Sequence, residues 1–244
     1  VGLIDQLSYP IIAISASLQE YLSTKPVAKK LESLFEQAPA GSERTIEISQ
    51  INSVAFRHVC FGYEDVSPIL NDFSLKVNAG EKCMITGQSG SGKSTSMNLL
   101  LGYYKPQSGE ILINDSNAFC VKQLNEKIAI MRQDPVLFND TLRNNLTMYR
   151  DMCDDELIAL LQKLNLHKFA TPEGLDSMIR EGGSNLSGGE RKRIALARTL
   201  LRKAPITIID EPLANVDSET AEKIEDILTE LSGGVVFVIT HHFS

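Results

Sequence analysis

No two of the four cysteines, Cys60, Cys83, Cys120 and Cys153, stand in a C-x-x-C pair. Their scatter argues against a disulfide framework or a zinc site and favours a reduced, cytosolic setting. Positive charge is not in excess either: 24 Lys and Arg stand against 31 Asp and Glu, a formal net charge of −7. That balance argues against a nucleic-acid binder held by bulk electrostatics. The chain start carries no basic n-region and no small-residue cleavage site, so no secretory signal is expected. Internal repeats and low-complexity tracts are absent. What remains is an ordinary globular composition, 43% hydrophobic and 23% charged, enough for a core of useful size. The length of 244 residues fits one domain, or one domain with an appendage.

A long apolar run is also lacking. Leu7 to Leu18 reads L-S-Y-P-I-I-A-I-S-A-S-L and carries no charge, but a bilayer span needs about 20 residues. Two readings stay open for it: a buried or amphipathic helix, or the cytoplasmic end of a transmembrane helix that begins upstream. Lys25, Lys29 and Lys30 follow it, as the positive-inside rule has it. Leu18, Leu22, Leu31, Leu34 and Phe35 extend the helical pattern to about Glu36, with a break near Pro26, and Ala38 to Glu43 (A-P-A-G-S-E) reads as a linker.

The texture changes at Ser53. Val54 to Val59 and Ser74 to Val77 alternate like half-buried strands. Lys82 to Thr86 is an apolar run into a glycine loop, and Thr95 to Leu101 reads as a helix. Ile111 to Ile113 and Ile128 to Met131 are further strand candidates. Asp154 to Leu166 places Leu157, Ile158, Leu160, Leu161 and Leu164 on one helical face. Ile206 to Ile209 and Val235 to Ile239 are continuous β-branched runs, the kind buried on both faces of a parallel sheet.

Gly87 to Ser94 reads G-Q-S-G-S-G-K-S and matches the phosphate loop G-x-x-x-x-G-K-[ST] without departure. The glycines Gly87, Gly90 and Gly92 let the backbone curl so that successive N–H groups meet phosphate oxygens, and the following helix adds its positive end. Lys93 is expected to reach the β- and γ-phosphates and Ser94 to ligate Mg²⁺. The nucleotide contacts expected here are Gly87, Gln88, Ser89, Gly90, Ser91, Gly92, Lys93, Ser94 and Thr95. Ile206 to Glu211 (I-T-I-I-D-E) is a buried strand ending in two acids. Asp210 is expected to hold Mg²⁺, and Glu211 to polarise an attacking water as general base. Taken alone, the same residues read as an ordinary strand and a surface acidic pair.

Between these motifs stands Leu186 to Glu190, L-S-G-G-E. By itself it reads as a helix start, with Ser187 capping and Glu190 at the third helical position. In company with the phosphate loop and I-T-I-I-D-E it resembles the signature of ABC transporter nucleotide-binding domains, L-S-G-G-Q, with Glu190 in place of glutamine. The resemblance runs from about Val54 to His241 and rests on seven short motifs in the family's order. It implies that Ser187, Gly188 and Gly189 face the γ-phosphate bound by a second subunit, with an extra negative charge nearby from Glu190. It implies that Tyr63 (F-G-Y) stacks on adenine, and that Gln133 (M-R-Q-D) contacts Mg²⁺ and senses the membrane domain. Glu181 stands where exporters carry a glutamate before the signature. Ala214 to Asp217 (A-N-V-D) resembles the loop that runs along the dimer interface. His241 matches the switch histidine on the γ-phosphate, and His242 departs from a position that is often arginine.

The implied fold is α/β: a P-loop NTPase with a RecA-like, mostly parallel sheet. A small antiparallel β-region is expected first, near Ser53 to Val77, and a helical subdomain carrying the signature over about residues 134–190. Residues 1–41 then form the end of the last membrane helix and a linker. Residues 42–244 form the ATPase domain, which in this family continues past the switch histidine. The function implied is an exporter's ATP-binding and hydrolysing domain, with ATP and Mg²⁺, on the cytoplasmic face of the membrane. Its expected partners are a second ATPase domain and the transporter's own membrane domain, with no nucleic acid. A soluble or importer-type ABC ATPase is the alternative. The interval from Ser94 to Leu186 is too short for the long coiled coil of the DNA-repair relatives and lacks sustained heptads. A small-molecule kinase would leave L-S-G-G-E unexplained.

Overall fold

A computed structural model of the chain describes residues 46–63, 68–88, 90–214 and 216–240. The apolar stretch Leu7 to Leu18, its basic flank and the Ala38 to Glu43 linker lie outside these residues, as do Ser89, Asn215, His241 and His242. Among the described residues no helix is long and apolar enough to cross a membrane.

Two sheets organise the fold. The first is antiparallel. It contains β1 (Ser53–Phe61), β2 (Leu70–Asn78), β4 (Ser108–Ile113) and β5 (Ser116–Asn117), in the order β2-β1-β4-β5. The second contains β3 (Lys82–Thr86), β6 (Ile128–Met131), β9 (Ile206–Asp210) and β10 (Val235–Thr240), in the order β3-β10-β9-β6. All its pairings are parallel, so each connection must cross over, and helices make the crossings. A third, two-stranded pair joins β7 (Asp140–Thr141) to β8 (Met178–Ile179).

The helices are α1 (Lys93–Leu100), α2 (Leu142–Thr147), α3 (Asp154–Lys163), α4 (Pro172–Leu175), α5 (Gly188–Leu201) and α6 (Ser218–Glu230). Strand periodicity divides the parallel sheet between two cores. Ile206 and Ile208 of β9 and Val235, Phe237 and Ile239 of β10 pack with α1 and the antiparallel sheet. Ile209, Val236 and Val238 point the other way, into a cluster with Leu146, Leu161, Ile194 and Ile224. Both faces of β9 and β10 are therefore buried, as their unbroken β-branched composition requires.

The sequence pattern needs correction at three places. β1 does not alternate: Val54, Ala55 and Phe56 are buried in a row. It lies between β2 and β4, so both its edges are paired, and only Arg57 and His58 along it are exposed. The antiparallel region also takes in β4 and β5, well beyond Val77. In α3 only Leu157 and Leu161 are fully buried. Ile158 and Leu160 stay half-exposed, and Leu164 is buried just past the last turn.

Polar ties hold the helical segment. The Arg143 guanidinium on α2 bonds Asp154 at the start of α3, and its Nε reaches Asp176 Oδ1 at 3.1 Å. Asn145 is fully buried. Its Oδ1 accepts the Phe138 N–H at 2.8 Å and an Arg198 Nη2–H at 3.1 Å, while its Nδ2 donates to Phe138 O at 2.9 Å. Satisfied on all sides, it pins the loop after β6 to α5.

Candidate active site

In open parallel sheets the segments that leave the strands' carboxyl ends surround the ligand crevice. Here they enclose a cleft of ≈ 330 Å³. Gly90, Gly92, Lys93, Ser94 and Thr95 follow β3, Gln133 follows β6, and Asp210 and Glu211 close β9. Ile239 of β10, with Tyr63 and Ile69 flanking the strands of the antiparallel sheet, completes the lining.

The phosphate loop owes its shape to its glycines. Gly87, Gly90 and Gly92 have φ of 152°, 82° and 91°, which side-chain-bearing residues rarely adopt. At Gly92 a Cβ would also come within 2.8 Å of Leu70 Cδ2. Gly92 is the N-cap of α1, and no side chain caps that helix. Lys93 is 8% exposed, and its Nζ donates to the carbonyls of Gly87 at 2.6 Å and Gln88 at 2.8 Å. These bonds hold the loop closed around the ammonium. Ser91 N–H donates to Gln88 O at 3.2 Å. Thr95 is buried, while Ser94 is exposed.

Opposite the loop, Glu211 has φ of 51°, a left-handed conformation uncommon away from glycine. Its N–H donates to Ile239 O of β10 at 2.9 Å. The chain thus leaves β9 in a tight turn beside the neighbouring strand. Gln133 Nε2 donates to Glu211 Oε2 at 2.9 Å. That bond joins the exits of β6 and β9 within the cleft.

The signature lies elsewhere. Ser187 is the N-cap of α5, and its Oγ accepts the Glu190 N–H at 3.2 Å. Glu190 Oε2 in turn accepts the Ser187 N–H at 2.9 Å. The capping reading of S-G-G-E therefore holds. Ser187 and Gly188 are exposed. None of the residues lining the cleft comes from Leu186–Glu190. Glu181 opens a 3₁₀ turn, Glu181–Gly183, and is exposed. Asp217 is the N-cap of α6, its carboxylate accepting the Thr220 N–H at 3.0 Å. Among the described residues no cluster of His, Cys, Asp or Glu forms a metal cage.

Tyr104 escaped the sequence reading. Its ring packs edge-on to Tyr63 at 5.2 Å between centroids and tilted to Phe61 at 5.5 Å, while Phe61 and Tyr63 are themselves edge-on at 5.2 Å. Three aromatic rings from two segments thus meet at the rim of the cleft. The two adjacent tyrosines after α1 were the available signal, but nothing in the sequence brings that turn against Tyr63.

The ABC transporter family model matches residues 70–214. The chain belongs to the ABC transporter family. This ABC domain is 36% identical over 226 residues to the ATP-dependent lipid A-core flippase of Syntrophus aciditrophicus, covering 89% of the chain and 37% of that protein. It is 33% identical over 254 residues to a putative ABC transporter ATP-binding protein, exp8, of Streptococcus pneumoniae, covering 99% of the chain and 42% of that protein. The solved structure of a bacterial Atm1-family ABC exporter with ATP bound superposes with a TM-score of 0.73 at 35% identity, over 82% of this chain and 36% of that one. The ABC domain thus spans about two-fifths of the length of such relatives. It is a nucleotide-binding ATPase domain of the exporter type.

Proposed function

We propose that the domain drives export across a membrane by ATP-dependent pairing with a second ATPase domain. The observation that carries this reading is the shared cleft: the hydrogen-bonded pair Gln133–Glu211 lines the same space as Lys93, Ser94 and Asp210. Lys93 meets the β- and γ-phosphates, and the backbone from Gly87 through Ser89 to Thr95 cradles them. Tyr63 stacks on the base. Glu211 takes a proton from the attacking water, while Gln133 orients its carboxylate. His241 contacts the γ-phosphate, a role that rests on the resemblance.

Ser94, Gln133 and Asp210 present a hydroxyl, a carboxamide and a carboxylate to one cleft. Oxygen donors of this kind suit a hard divalent cation, and these residues would hold Mg²⁺. The ion would supply charge neutralisation across the phosphates. Ser187, Gly188 and Gly189 do not line their own cleft, so they are available to close the cleft of a second copy or of a related subunit. Head-to-tail pairing would bury two nucleotides, and hydrolysis would release the pair.

The membrane portion of the transporter is the other partner, which sets the domain on the cytoplasmic face. The segment after Gln133 suits such contact: Val136, Phe138, Met148 and Tyr149 are 67%, 48%, 43% and 74% exposed. The relatives named as a lipid flippase and an Atm1-family exporter favour export over the soluble or importer-type alternative.

Glu211→Gln tests this reading. It keeps ATP binding and slows the chemical step at least about 10²-fold, the low end for a lost general base. With the nucleotide bridge preserved, the variant forms an ATP-dependent dimer on size-exclusion chromatography. Hydrolysis at the unmodified rate would remove Glu211 from the mechanism.

A further inference from the structure

Glu190 is where the signature departs from its family's glutamine. A glutamine makes the same backbone contact without the charge, so the carboxylate needs an explanation. Oε2 is committed to the Ser187 N–H. Oε1 lies 2.6 Å from Lys168 Nζ, and that ammonium also sits 4.6 Å from the centroid of the buried Phe169 ring. Lys168 is thus held between an anion and an aromatic face, both of which attract a cation. The Glu190 side chain is 17% exposed and that of Lys168 59%, so the carboxylate is the sheltered member and the ammonium faces outward.

Burial pushes the Glu190 carboxyl up, but the Lys168 ammonium and the Ser187 N–H outweigh it and hold the group below its ordinary value. Glu190 is therefore an anion at neutral pH. A bare anion at this helix start would repel any phosphate approaching Ser187, Gly188 and Gly189.

We propose that Lys168 is a positioning residue for the signature: it fixes and neutralises Glu190, and so keeps the turn receptive to a nucleotide held by a second copy. The proposal rests on the shared-site reading above. No residue of the pair lines the chain's own cleft, so Lys168 acts on association and not on the first binding of ATP.

The test uses the Glu211→Gln chain with Mg·ATP, reading the dimer dissociation constant by sedimentation. Lys168→Met keeps an apolar stem against Phe169 and removes the charge. It weakens the dimer roughly tenfold, the effect of one uncompensated charge about 12 Å from a phosphate charge at an effective dielectric of about 20, and the loss shrinks in high salt. ATP affinity of the monomer and the thermal midpoint stay close to the parent's. Adding Glu190→Gln to Lys168→Met restores the dimer to within about twofold, because the repelling charge is gone. A double variant as weak as Lys168→Met alone would overturn the proposal in favour of packing. So would an unchanged dimer in Lys168→Met, which leaves the shared site standing. A Glu211→Gln parent that stays monomeric with ATP would overturn the proposal for a second copy of this chain and leave a related subunit as the only partner of the shared site.

Discussion

Two helices in this chain start at glycine-rich turns, and they start differently. α1 begins at Gly92 in a left-handed conformation, with no side-chain cap and no acid in its first turn. α5 begins at Ser187 with a complete capping box and Glu190 in its first turn. Helix N-termini attract anions through exposed N–H groups and the aligned peptide dipoles. The first helix reserves that attraction for a ligand and adds Lys93. The second answers part of it with its own side chains. This difference predicts that α1 carries tight binding by one chain, while α5 contributes a weaker contact that matters only when two chains meet.

The largest effect belongs to the uncapped start. Lys93→Ala removes the one charge that the loop wraps and abolishes tight ATP binding or turnover. Nucleotide titration and phosphate release check it. Unchanged steady-state hydrolysis would erase the contrast between the helices.

Next comes the capped start. Ser187→Arg in the Glu211→Gln chain stops ATP-dependent dimerisation while leaving ATP bound to the monomer, since Ser187 is exposed and outside the cleft lining. Size-exclusion chromatography with bound-nucleotide assay reads both. If the double variant dimerises like the single one, Leu186–Glu190 is a helix cap and nothing more.

A smaller effect sharpens the first half of the comparison. Tyr104→Ala removes an aromatic neighbour of Tyr63 worth about 0.5–1.5 kcal/mol. ATP and GTP both weaken by roughly two- to tenfold, and inorganic triphosphate binding does not change. Tyr63→Ala costs more, about 1–3 kcal/mol if stacking on the base is lost. Equal loss of triphosphate binding in either variant would mean that the loop itself had moved.

How much of this was legible in the sequence follows from the range of the forces involved. Gly87–Ser94 and Ile206–Glu211 were readable because backbone curl and strand burial are local requirements. So were β9 and β10, whose two-sided burial is written in their composition. The pairing of β1 with β4 was not, since a strand's own pattern does not name its neighbour, and the consecutive burial of Val54, Ala55 and Phe56 departs from the alternation of a half-buried strand. Tyr104 and Lys168 were invisible for the same reason: each acts through a contact that only the folded chain supplies. The two short strands β7 and β8 are too brief to show any period. The helix cap at Ser187 was legible because all its parts lie within four residues.

The smallest effect separates the two starts by stability alone. Ser187→Ala removes the acceptor for the Glu190 N–H and costs about 1 kcal/mol, the usual price of a lost N-cap. Urea unfolding at pH 7 reads it directly. The other half of the box is electrostatic, and its sign can be worked out. The folded Glu190 carboxyl lies below its ordinary value, so the ionised form is favoured by folding. Its contribution is fully present above the unfolded value of about 4.3 and is lost as the pH falls through the lowered folded value. Glu190→Gln keeps a side-chain acceptor for the Ser187 N–H but cannot titrate. Between pH 7 and pH 3, the unmodified chain should therefore lose more stability than Glu190→Gln, with the difference opening only below about pH 4.3. No matching difference is expected at α1, whose first turn holds no acid to titrate. Parallel pH profiles for the unmodified chain and Glu190→Gln would show instead that the carboxylate is not held by the fold, leaving Ser187 Oγ to cap α5 alone.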